Sequence, residues 1–151
     1  MYNNEMDSYG WLGMEIIGRM VSQLKLISEN KIPKDINQLR KLFKELGLFV
    51  GYYTFEVDMM EKTAAEEANK EENLNIIYDL FSELTTGGTA QKENFKKEIM
   101  SGEYWKCLRK IEGNGIGKGR FSQKFAHVCK KEHIPDYIKE AIEYIYEKVN
   151  V

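Results

Sequence analysis

A chain of 151 residues, 42% hydrophobic and 30% charged, has enough apolar matter for one compact domain with its own core. No apolar run approaches the roughly 20 residues that span a bilayer, and the opening MYNNEMDSYG is acidic and polar where a signal peptide is basic and then greasy, so the expectation is a cytoplasmic protein with no membrane partner. The formal net charge of −2 hides a polarised chain: from Thr54 to Ala90 nine acids face only Lys62 and Lys70, whereas from Gln91 to Lys131 eleven cations face four acids. Such a pattern suits a site where phosphates are held, and equally suits a helical protein with solvated faces of opposite sign.

Leu12, Ile16, Ile17, Met20, Val21, Leu24 and Ile27 recur at three- and four-residue steps and predict an amphipathic helix over about 11–29. ENKIPKD breaks it. Asp35 is placed to cap a second helix over 35–46, with Ile36, Leu39, Leu42, Phe43 and Leu46 on one face and Gly47 as its stop. LFVGYYTFEV is dense in aromatic and β-branched residues and predicts a strand over about 48–56, with Glu56 and Asp58 at its downstream end. Residues 58–84 read as helix, either two segments or one irregular one, with Leu74, Ile77, Tyr78, Phe81 and Leu84 on the apolar face. After TTGGTA a basic helical stretch runs over 91–111, bending at Ser101–Glu103, and a further helix covers 120–132. Pro135 opens the last helix, 136–149, whose inner stripe is expected to be Ile138, Ala141, Ile142 and Ile145, with Tyr137, Tyr144 and Tyr146 as core and rim. The expected fold class is mostly α with one or two short strands. A lone strand cannot satisfy its own backbone, so it needs an unrecognised strand, a second copy, or a larger α/β unit.

The stretch GNGIGKGRFSQKFA, residues 113–126, alternates glycines and then delivers Lys118 and Arg120 at a helix start. A Walker A loop is excluded, since the position of its first glycine holds Glu112 and that of its serine or threonine holds Gly119. A dinucleotide loop should follow a strand, and YWKCLRKIE reads as helix. What remains is a pair of cations beside unpaired N–H groups that favour an anion, or else a flexible linker with solvated cations. His127 and His133 lack the spacing of a zinc site, and Cys107 and Cys129 form no CxxC pair and are expected to be buried or idle thiols. Trp105, amid Lys106, Arg109 and Lys110, reads as a packing anchor, with base stacking as the alternative.

YYTFEVDMM at 52–60, GKGRFSQKFA at 117–126 and IPDYIKEAIEYI at 134–145, in that order, resemble the closing half of the TOPRIM nuclease domain of the overcoming-lysogenisation-defect (OLD) family of ATP-dependent endonucleases, relatives of Gabija-type defence nucleases. The likeness runs from about residue 31 to the C-terminus, KIPKDINQLRKLFKELGLFVG resembling the approach to the family's Thr-x-Glu-x-Asp stretch. The periodicity gives an N-terminal helical segment, 1–30, and the resemblance implies that a partial α/β TOPRIM-like domain, 31–151, follows it. It implies cleavage of DNA with magnesium or manganese, Glu56 and Asp58 as metal ligands, Lys118 as the catalytic lysine beside the scissile phosphate, and Arg120 and Lys124 as contacts to backbone phosphates. It implies as partners DNA and either the missing ATPase and leading TOPRIM portion or another copy. The chain departs from the family in having no Asp-x-Asp, and its acids before residue 35, Glu5, Asp7, Glu15 and Glu29, follow no strand-like run. We therefore expect it to be incomplete for catalysis alone, which leaves three functions: a portion of an endonuclease, a non-catalytic helical module that binds nucleic acid, or an interaction protein that pairs its strand with a full nuclease.

Overall fold

The computed structural model describes residues 17–149 except Leu24; the part of the first expected helix at 11–16 lies outside the described residues. The chain divides into two compact units, one made of the residues up to Tyr53 with those from Asp136 onward, the other of Thr54–Pro135.

In the first unit, α1 is helical over 17–23. It stops well before Glu29, because Lys25 takes a left-handed conformation (φ 56°) and the Lys25 and Leu26 amides donate to the carbonyls of Ser22 (2.9 Å) and Val21 (3.2 Å). A 3-10 turn, Glu29–Lys31, leads to α2, Ile36–Glu45. The Asp35 carboxylate caps α2 by accepting the amides of Asn37 (3.0 Å) and Gln38 (2.9 Å). Gly47 ends it at φ 74°, where the Leu48 amide returns to Phe43 O at 2.8 Å. A Cβ at Gly47 would also press to 3.3 Å from the Tyr144 ring. Val21, Leu39 and Phe43 form the buried core, ringed by Ile17, Ile27, Ile32, Ile36, Leu46, Leu48 and Val50.

The expected strand over 48–56 is not formed. Arg40, on α2, forks its guanidinium onto the carbonyls of Val50 and Gly51 and lies 3.7 Å over the Tyr52 ring. A side chain thus supplies the hydrogen bonds that a neighbouring strand would have given, and the segment runs on as irregular chain. The last helix of the first unit, α8, Asp136–Val149, has the expected bounds. Lys44 pairs with Glu140 at 2.6 Å, and Phe49 meets Tyr144 with ring centroids 5.5 Å apart. Of the expected inner stripe, Ile138 and Ala141 are half-buried, with Tyr144 beside them, whereas Ile142 and Ile145 are 48% and 60% exposed.

The second unit holds α3 (Phe55–Ala64), α4 (Lys70–Leu84), α5 (Thr89–Met100), α6 (Tyr104–Gly113) and α7 (Lys118–Val128), with 3-10 turns at Glu67–Asn69 and Lys131–His133. The stretch expected to be helical from 58 to 84 is thus two helices, and that from 91 to 111 breaks at Gly102, which sits at φ 79°. The helix expected over 120–132 starts two residues earlier and gives way to the second 3-10 turn. Each of α3 to α6 packs on the next, and α6 packs back on α3, which closes a four-helix ring. Val57, Met59, Met60, Leu74, Ile77, Phe81, Phe95, Ile99, Cys107, Leu108 and Ile111 fill it, with Phe81 and Phe95 stacked at 3.8 Å between centroids. α3 is buried on nearly every side and is the innermost helix.

Candidate nucleic-acid interface

Successive helices of the ring run in opposite directions, so one end gathers the start of α3, the end of α4, the start of α5 and the end of α6. Side-chain contacts fix this end. Gln91 Nε2 at the start of α5 donates to Asn114 Oδ1 just past α6 (3.2 Å), and α7 lies on α4 and α6. Along α7, Lys118 pairs with Glu112 of α6 (2.8 Å), the Ser122 hydroxyl donates to Glu56 Oε1 of α3 (3.5 Å), and Lys124 reaches Glu83 of α4 (3.4 Å). The helix therefore lies across the end of the ring, tied to three of its four members.

The glycine stretch is a compact turn. Ile116, 4% exposed, plugs into the core between Gly115 (φ 72°) and Gly117 (φ 76°), and the Gly117 amide closes onto Ile111 O at 3.0 Å. Asn114 Nδ2 donates to Lys110 O at 2.9 Å. Only glycine adopts both positive φ values without strain, so these two residues are explained by the α6–α7 turn; Gly113 and Gly119 are helical and face open space. The cap of α7 is Gly117, with no side chain to serve its first turn, and the amides of Lys118, Gly119 and Arg120 meet no acceptor among the described residues. α5 begins in the same way on Gly88, leaving the amides of Thr89 and Ala90 without an acceptor among the described residues, beside the TTGG turn in which Thr85 Oγ1 accepts the Gly87 amide at 3.0 Å. Two uncapped helix starts and two glycine turns thus share one end of the ring.

Each expected site residue has a definite place there. Arg120 is exposed and makes no ion pair among the described residues. Lys124, one turn on, is exposed and loosely paired. Lys118 and Glu112 have side chains 40% exposed, and a surface pair of this kind contributes about 0–1 kcal/mol, so an incoming anion can take the ammonium at little cost. Glu56 and Asp58 are 5% and 6% exposed and lie in the first turn of α3, whose cap is the Thr54 hydroxyl accepting the Val57 amide at 3.4 Å. Carboxylates at that end of a helix are favoured by its dipole. On a strand, residues two apart project to one side; on a helix they diverge by about 200°. The side-by-side arrangement expected of the pair on a strand is therefore not formed, and no group of three or more His, Cys, Asp or Glu suited to a metal occurs among the described residues.

Of the acids that hold α7, Glu56 stood out in the sequence as a metal ligand and not as a docking partner, and neither Glu83 nor Glu112 gave a sign of its contact with Lys124 or Lys118. The same is true of His133. Its Nδ1 accepts the Lys130 amide (3.1 Å), its Nε2 is buried without a hydrogen-bond partner among the described residues, and burial holds its pKa below the usual value. On the inner face of α6, burial pushes the Cys107 thiol up and, together with the charge of Glu61, raises the Tyr104 phenol to about 12. At the other end of the ring, a surface groove of about 500 Å³ is lined by Glu67, Lys70, Glu71, Leu74 and Met100. No helix is long and apolar enough to cross a membrane among the described residues. Compared with known proteins, the chain matches no family model, no curated protein and no solved structure.

Proposed function

We propose that this chain is a non-catalytic helical module that binds nucleic acid through its phosphates at the α7 end of the second unit. The observation that carries this reading is the pairing of two uncapped helix starts, α5 on Gly88 and α7 on Gly117, beside the exposed Arg120. Open amides at the positive end of a helix, with a guanidinium alongside, are a general means of holding phosphate. Lys118 and Lys124 add charge on the same helix, each held by a single exposed acid that a phosphate can displace. Fluorescence anisotropy with a labelled oligonucleotide tests it. Affinity should fall linearly with the logarithm of salt concentration, and Arg120→Ala and Lys118→Ala should each lower that slope by about one. Variants that bind with unchanged affinity and slope would sink the proposal.

One contact favours a second reading, the metal-dependent endonuclease of the OLD-family resemblance: the Ser122 hydroxyl brings the basic helix against Glu56. On this reading the purified chain nicks supercoiled plasmid in the presence of manganese or magnesium, and Glu56→Gln abolishes the nicking. An intact plasmid across both metals removes it and leaves the binding module.

A further inference from the structure

Trp105, Arg109 and Glu112 recur along α6 at steps of four and three, so they share one face of the helix. The Arg109 guanidinium lies over the Trp105 ring, 5.1 Å from its centroid. Its cationic neighbours are engaged elsewhere, Lys106 by Glu103 and Lys110 by Glu98, whereas Arg109 is exposed and makes no ion pair among the described residues. Farther along this face, Glu112 holds the Lys118 ammonium at 2.8 Å. A row of Trp105, Arg109 and Lys118 thus runs along α6 to the start of α7, where Arg120 stands. From Arg109 to Glu112 the axial step is only about 4.5 Å, three residues at the helical rise.

We infer that Arg109, laid against Trp105, is a stacking platform for an unpaired base, so that the ligand of this face is a single-stranded nucleic acid whose adjoining phosphates are taken by Lys118 and Arg120. This rests on the phosphate-binding reading above and narrows it to one class of ligand. A guanidinium is planar and weakly hydrated, and one already held on an indole gives up little freedom when a base settles on its outer side. Bases within a duplex have their faces covered by their neighbours, whereas those of a single strand do not. Lysine at 109 would keep the charge and lose the plane.

The test compares a short oligothymidylate, an abasic strand of equal length, and a duplex, with the wild type, Arg109→Lys and Arg120→Ala, each checked for its helical circular dichroism. We expect oligothymidylate to bind about tenfold more tightly than the abasic strand. Arg109→Lys should remove that advantage while leaving the salt slope unchanged. Equal affinity for the thymidylate and abasic strands, a preference for duplex, or an Arg109→Lys variant that binds as the wild type does would overturn the inference. If in those cases Arg120→Ala still weakens binding, the phosphate-binding reading survives; if no strand binds at all, both fall.

Discussion

The His133 ring sits 1% exposed in the turn after α7, accepting a backbone proton from Lys130 on Nδ1. A second ring proton would have to occupy that same nitrogen, set against an N–H that already points at it. Glu132 on its own turn and Glu66 just past α3 act to raise its pKa, yet burial, joined by the positive charge of Lys130, outweighs them and depresses it. Because the folded-state value lies below the ordinary one of about 6.5, the unfolded chain binds more protons once pH drops beneath 6.5. The contribution to stability is therefore complete above that pH and lost as pH falls toward the folded-state value. Thermal unfolding from pH 8 to 5 should show this loss in the wild type and less of it in His133→Phe, which should also be weaker by about 1 kcal/mol at pH 8 for want of the amide acceptor. Equal pH slopes would contradict the assignment. The cysteines allow a simpler check. Cys107 is fully buried with its thiol pKa raised, and Cys129 is partly exposed, so Ellman's reagent should titrate one thiol in the native protein and both in denaturant.

Turns decide most at the level of elements, and glycines of the same stretch should behave in opposite ways. Gly115 and Gly117 hold positive φ with open space around the missing Cβ, so alanine there meets only the dihedral penalty and should destabilise by about 1–3 kcal/mol in urea unfolding. Alanine at Gly113 or Gly119, both helical, should be neutral or should stabilise by about 0.4–1 kcal/mol. Four equal values would mean that the turn is not built as described. Arg40→Lys should lower stability by about 1.5–3 kcal/mol, since an ammonium cannot fork onto two carbonyls. That arginine also explains how a strand came to be expected. YYTFEV has the composition of a strand, but its backbone is satisfied from α2, and Thr54 followed by Glu56 and Asp58 is a helix start whose acids suit the dipole. Periodicity and caps made α2 and α8 legible, because Asp35, Gly47 and Pro135 act on their own neighbours. The end of α1 was not, since its left-handed residue is Lys25 rather than glycine.

In the second unit, charges of both signs meet at each end of the helical ring: Glu67, Glu71 and Lys70 border the groove at one end, and Lys118, Arg120 and Lys124 line the helix laid across the other, beside Glu56, Glu83 and Glu112. The cations of that helix were legible in the sequence, whereas the contacts by which acids of three different helices dock it were not. Its glycines are explained by a turn around Ile116, so the case for a bound polyanion rests on the open amides and on Arg120 instead. The most direct measurement is an amide proton–nitrogen NMR titration with a short oligothymidylate. The account predicts that the largest shifts fall on Lys118, Gly119 and Arg120, with Thr89 and Ala90 next, and that they fade as salt is raised. Shifts concentrated around Glu67–Glu71, or a spectrum unmoved at low salt, would contradict it.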